Sequence, residues 1–133
     1  MTRLPLTILI ADDDSEDLEL MEIAITDLDP AVVLQKANNG EAAISYLAAQ
    51  PDHELPCLII LDYNMPDLTG LELLTIISND KRYDKIPKII LSTSNAARHL
   101  KDCINNGAAE YLIKPNSTTE LSDLAKKLLA YCK

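Results

Sequence analysis

The sequence predicts a doubly wound α/β domain, with a parallel sheet covered by helices on both faces. Four apolar runs, at 7–11, 57–61, 89–91 and 111–113, end abruptly in polar residues. Short apolar runs bounded by turn residues read as strands buried on both faces. Segments with helical spacing alternate with them, which implies parallel strands joined by crossover helices. Gly40, Gly70 and Gly107 all fall at proposed element boundaries.

The elements follow in order. The first strand, Thr7 to Ala11, ends in Asp12, Asp13 and Asp14. Asp14 or Ser15 caps a helix whose apolar positions are Leu18, Met21, Ile25 and Leu28, and Asp29-Pro30 ends it. A second strand spans Val32 to Ala37, followed by a turn at Asn38-Asn39-Gly40 and a short helix from Glu41 to Ala49. After a loop holding Pro51 and Pro56 comes the third strand, which runs Cys57-Leu58-Ile59-Ile60-Leu61 into Asp62. The third helix presents Leu71, Leu74 and Ile77 or Ser78 inward, and a polar connection covers Lys81 to Pro87. The fourth strand ends in Ser92-Thr93-Ser94. The fourth helix, Ala96 to Asn106, has Leu100, Cys103 and Ile104 on its apolar side and Gly107 as its C-terminal cap. The fifth strand, Glu110 to Ile113, ends in Lys114-Pro115. Ser117 or Thr118 opens a last helix with Leu121, Leu124 and Leu128 in register.

Composition narrows the function. A chain of 133 residues suits one domain, expected to span 1–133 with no attached output domain. A net charge of −9 and the lack of a basic cluster argue against a nucleic-acid partner. No apolar stretch approaches the roughly 20 residues of a membrane span, and the start lacks a signal-peptide pattern. Cys57, Cys103 and Cys132 have no metal-ligand spacing and are expected as free thiols in a reducing cytoplasm. Dinucleotide and phosphate-loop glycine signatures are absent.

Asp62 is the most informative residue. Ligands of open α/β sheets bind at the carboxyl ends of the strands. A carboxylate ending a fully apolar strand there is poorly solvated, so it needs a cation or a chemical task. If the strands lie side by side, Asp12, Asp13, Asp62, Ser92 and Lys114 converge on one edge as a composite site. The acids facing one another would raise at least one pKa unless a cation neutralised them. His53 and His99 read as solvated, and the acids Glu16, Asp17, Glu19 and Glu22 of the first helix as a solubilising face.

An acidic pair after the first strand, D-x-N-M-P-x-x-x-G from Asp62, a hydroxyl after the fourth strand and K-P after the fifth appear in that order. This set resembles the receiver domain of two-component response regulators over about Thr7 to Tyr131. The resemblance implies a flavodoxin-like, five-stranded parallel sheet in the order 2-1-3-4-5. It implies that Asp62 accepts a phosphoryl group from a phosphohistidine on a sensor histidine kinase or histidine phosphotransfer domain. Asp12, Asp13 and Asp62, with the backbone carbonyl of Asn64, would bind Mg²⁺ (or Mn²⁺), while Asp14 caps the helix. Ser92 would donate to a phosphoryl oxygen, and Lys114 would pair with the acceptor and then with the phosphate. The Lys114-Pro115 bond is expected to be cis. Tyr111 would act as the aromatic switch, remodelling the surface of the fourth helix, fifth strand and fifth helix for an unidentified protein target or a homodimer.

The polar segment Asn79 to Lys88 resembles that of stand-alone receivers associated with phytochrome-type kinases. Such a domain would catalyse only its own phosphorylation and dephosphorylation, in the cytoplasm, without membrane attachment. Two other readings fit the motifs less well. A Mg²⁺-dependent phosphohydrolase of the haloacid dehalogenase type needs D-x-D-x-[TV], and Asp62-Tyr63-Asn64 lacks its second acid. A degenerate receiver acting only as a binding module would lack an acceptor, acid or lysine, and none is missing.

Overall fold

In the computed structural model, which describes residues 6–133, the strands are β1 (Thr7–Ala11), β2 (Val33–Ala37), β3 (Leu58–Asp62), β4 (Lys88–Ser92) and β5 (Glu110–Ile113). The helices are α1 (Ser15–Leu28), α2 (Gly40–Ala49), α3 (Gly70–Ser78), α4 (Ala97–Asn105) and α5 (Thr118–Ala130). All strand pairs are parallel, in the order β2-β1-β3-β4-β5, as expected.

Side-chain alternation along the strands builds two cores. Ile8, Ile10, Leu58, Ile60, Ile89 and Leu91 face α1 and α5, meeting Leu18, Met21, Ile25, Leu124 and Leu128. Leu9, Ala11, Ile59, Leu61 and Ile90 face the other way, onto Ala43, Leu47, Leu73, Leu74, Ile77 and Cys103 from α2, α3 and α4. Strands β3 and β4 are buried along their whole length, which is why their sequences do not alternate.

The helix starts follow from local chemistry. The Asp14 carboxylate accepts from the N–H groups of Glu16 and Asp17, so it caps α1 as expected. Asn39 caps α2 through the Ala42 N–H, and Asp67 accepts from the Gly40 and Glu41 N–H groups. Thr69 and Glu72 form a reciprocal capping box on α3, and Ser117 caps α5. Gly107, just past α4, has φ +111°, a left-handed conformation that favours glycine.

Several expectations change. Cys57 and Cys132 are joined in a disulfide, with Cα atoms 5.3 Å apart; Cys103 is free and buried. The expectation of three free thiols rested on sequence separation, whereas α5 runs back antiparallel to β3 and returns residue 132 to the start of that strand. Leu28, Leu100 and Ile104 are exposed instead of inward, leaving Cys103 as the buried residue of α4. Leu73, absent from the expected inward set, is fully buried. β2 begins at Val33. The 81–87 connection is less polar than expected: Tyr83 and Ile86 are buried there, and the Tyr83 carbonyl accepts from the buried Lys88 ammonium.

Candidate functional site

The backbone ladders continue for one residue past the strands and so define the site. The Asp12 N–H donates to Ala37 O, the Tyr63 N–H to Leu91 O and the Lys114 N–H to Ser92 O. Together with the pairing of Ala11 with Leu61, these bonds hold the ends of β1, β3, β4 and β5 in step. Asp12, Asp62, Ser92 and Lys114 therefore meet at one edge of the sheet, as the sequence predicts.

Asp62 is only 5% exposed and Asp12 only 2%, while Asp13 is exposed. Carboxylate oxygens of Asp12, Asp13 and Asp62 lie within 4.8 Å of one another. Burial, then the neighbouring Asp12 charge, raises the Asp62 pKa to about 7; Lys114 and the Asn64 N–H oppose the shift. That Asn64 N–H lies 3.4 Å from Asp62 Oδ1. Ser92 is fully buried, and its Oγ accepts from the Ser94 N–H at 3.0 Å, leaving its own proton to donate.

Lys114 is shared among three acids. Its Nζ donates to Asp12 Oδ2 at 2.9 Å and to Asp17 Oδ2 at 2.9 Å, and stands 3.4 Å from Asp62 Oδ1. Burial disfavours the ammonium, but the bonds to Asp17 and Asp12 outweigh it and raise its pKa. Beside it a cleft of about 270 Å³ opens between α1 and α5, walled by Leu20, Met21 and Leu121.

The Lys114-Pro115 bond is trans, since no cis peptide occurs among the described residues. The expected cis bond is not needed to aim the lysine: the N–H bond to Ser92 O fixes its backbone, and the side chain spans the remaining distance. Trans is also the lower-energy form of an X-Pro bond.

Gly70 is what allows α3 to start against Asp62. A Cβ there would lie 2.6 Å from Asp62 O and 2.8 Å from Tyr63 Cα, and the Gly70 N–H donates to Tyr63 O. On the α4 side, the Tyr63 ring stacks on His99 with centroids 4.5 Å apart and meets Tyr111 edge-on. The Tyr111 hydroxyl donates to Ser94 O at 2.6 Å. His99 is thus half-buried with its Nδ1 unpartnered, not a solvated residue of the helix flank.

Sequence reasoning missed Asp17 and the Tyr63–His99 stack. Asp17 stood among the solubilising acids of α1, and only the side chain of Lys114, reaching from the residue after β5, gives it a lysine. Nothing in the spacing of Tyr63 and His99 signals their contact.

The three carboxylates fit a hard divalent cation. All are oxygen donors on one rim, and Asp62 is buried beside the Asp12 charge, the two causes that raise its pKa.

Comparisons with known proteins agree with this geometry. The sequence model of the response regulator receiver domain matches residues 8–126. The chain is 33% identical over 92 residues to two-component response regulator ORR5 of Oryza sativa subsp. japonica, covering 69% of this chain and 66% of that protein. It thus spans just under two thirds of that relative. The probable methanogenesis regulatory protein FilR2 of Methanothrix harundinacea (strain 6Ac) is 29% identical over 129 residues, covering 96% of this chain and 83% of the relative. Among solved structures, the Mn²⁺-bound form of response regulator Rcp1 superposes with a TM-score of 0.83 at 25% identity, over 96% of this chain and 94% of that one. The phosphorylated cyanobacterial phytochrome response regulator RcpA reaches 0.85 at 24% identity, over 95% and 92%, and bears on the fold alone.

Proposed function

The chain belongs to the response regulator receiver domain family of two-component systems, and on that premise we propose that Asp62 accepts a phosphoryl group from a phosphohistidine. The observation that carries this reading is the convergence of a buried acceptor carboxylate, two further acids, a hydroxyl and an ammonium on one rim. Receiver domains of such systems take phosphate from histidine kinases, so the donor is a sensor histidine kinase or a histidine phosphotransfer domain.

An Asp62 carboxylate oxygen attacks phosphorus, the phosphorus–nitrogen bond breaks, and the imidazole leaves with its electron pair and takes up a proton. Ser92 donates its hydroxyl proton to a phosphoryl oxygen, and Lys114 offers positive charge to another. Mg²⁺, or Mn²⁺ as in the Rcp1 structure, would be held by Asp12, Asp13, Asp62 and the Asn64 carbonyl, and would neutralise charge on the transferring group. The chain's own contribution is positioning and electrostatics, and its only substrate is itself. Asn64 stands where a phosphohydrolase of the haloacid dehalogenase type would need an acid, so that alternative has no supporting group.

The output would be a change of the α4-β5-α5 surface. Drawing Ser92 toward the phosphoryl group disturbs its bond from Ser94, and the Ser94 carbonyl is what the Tyr111 hydroxyl holds. Leu100, Ile104 and Ile113 supply exposed apolar area there for a target protein or a second copy. The negative charge favours a protein over a nucleic acid as partner. No helix among the described residues is long and apolar enough to cross a membrane. A histidine-kinase donor favours a cytoplasmic location, where reduction of the disulfide would leave two adjacent thiols.

The test is intact mass after incubation with acetyl phosphate, with Mg²⁺ or a chelator, beside Asp62→Asn. The expected result is a gain of one phosphoryl group that requires both Mg²⁺ and Asp62. No gain from acetyl phosphate or from a phosphohistidine donor protein would reduce the domain to a binding module.

A further inference from the structure

Asp17 belongs to none of the roles assigned above, yet it takes one of the two shortest bonds of the lysine at the site. Lys114 Nζ carries three protons. Two are directed at Asp12 Oδ2 and Asp17 Oδ2, each at 2.9 Å, while the acceptor Asp62 is left with the longest of the three contacts, 3.4 Å. The ammonium is thus drawn toward α1 and away from the atom that is to carry the phosphoryl group.

The three acids are not equivalent. Asp12 and Asp62 are buried and belong to the group whose oxygens can share a cation. Asp17 lies outside that group, on the first turn of α1, with a half-exposed side chain at the mouth of the α1–α5 cleft. A cation at the acidic cluster would compete with Lys114 for Asp12 and Asp62, but leaves the lysine's hold on Asp17 intact.

We infer that Asp17 is a positioning residue that restrains Lys114 from Asp62, so that the Asp17–Lys114 bond slows phosphoryl acceptance. Lys114 already stands 3.4 Å from Asp62 Oδ1, so serving phosphoryl oxygens there asks only that the ammonium shift from Asp17 toward Asp62. The inference rests on Asp62 being the acceptor.

The experiment is a phosphorylation time course with acetyl phosphate and saturating Mg²⁺, read by intact mass, for wild type and four variants. Asp17→Asn keeps the shape of the side chain and removes its charge. Asp17→Ser is a second disruption, and Asp17→Glu is the conservative rescue. Glu16→Gln removes one charge from the adjacent position, where the side chain has no lysine partner, and so controls for general repulsion of the anionic donor. Asp17→Asn and Asp17→Ser are expected to accept phosphate roughly 3- to 10-fold faster than wild type, the scale of one half-exposed charge-assisted contact. Asp17→Glu and Glu16→Gln are expected to stay near wild type. A merely structural role for Asp17 would leave the rate unchanged or lower it, along with the melting temperature. Unchanged or slower acceptance by both disrupting variants overturns the inference, as does an equal acceleration by Glu16→Gln. Failure of wild type to accept phosphate at all overturns the acceptor assignment itself, and this inference with it.

Discussion

Strand β3 is five residues long, and its two ends are built on opposite terms. At its amino end Cys57 is tied covalently to Cys132, and its N–H donates to Thr7 O. At its carboxyl end Asp62 is a buried carboxylate whose pKa is pushed up to about 7. One end is constrained beyond what a buried strand needs, and the other holds charge that costs stability until something binds it. The contrast teaches that the polar site is carried by a scaffold anchored elsewhere, with the destabilising groups gathered where chemistry needs them.

The largest expected effect lies at the anchored end. Loss of a cross-link between residues 75 apart removes about 4 kcal/mol of stability in the chain-entropy picture. Urea unfolding with and without reductant checks it: wild type should lose stability on reduction, whereas Cys57→Ser should be lower from the start and indifferent to reductant. Phosphoryl acceptance should be the same in both, because the disulfide sits at the far end of the strand. Acceptance that changes with reduction would break the separation of the two ends.

Next comes Gly70, which supports the Asp62 end from α3. Gly70→Ala places a methyl group 2.6 Å from the Asp62 carbonyl oxygen, so the backbone beneath the acceptor must move. A loss of about 2–3 kcal/mol is expected, together with slower acceptance. Loss of stability with an unchanged rate would mean that the site tolerates displacement of Asp62.

The smallest effect on stability has the opposite sign. Asp62 has a folded pKa raised above its unfolded value. The stability that its proton supports is therefore fully present below about pH 4 and lost as pH rises through about 7. Asp62→Asn should stabilise the metal-free protein by on the order of 1–3 kcal/mol above pH 7, with the gain shrinking toward pH 4. Thermal melts across this range check it. Mg²⁺ should stabilise wild type more than the variant, narrowing the difference.

Much of the fold was legible because its strands are apolar runs and its helix starts are local. Asp14, Asn39, Thr69 and Ser117 cap helices through bonds to residues two or three positions on, so sequence suffices to place them within a residue or two. The site was legible for a related reason. Asp12, Asp62, Ser92 and Lys114 each follow a strand, and in a parallel sheet strand ends share an edge. Less legible was which side of each helix packs. Leu100 and Ile104 keep apolar spacing on α4, but the sheet beneath it offers room only at Cys103.

The sequence by itself determined the alternation of strands and helices, the edge where polar groups gather and the carboxylate that ends β3. Each of these depends on periodicity or on the residue next in the chain. Only the tertiary structure decided that Cys57 meets Cys132, that Tyr63 stacks on His99, that the Lys114-Pro115 bond is trans and that Lys114 is divided among Asp12, Asp17 and Asp62. Apart from the proline bond, these contacts join residues far apart in the chain, and their distances are set by how α1, α4 and α5 settle against the sheet. The backbone bond from Lys114 to Ser92 likewise exists only once β4 and β5 have paired.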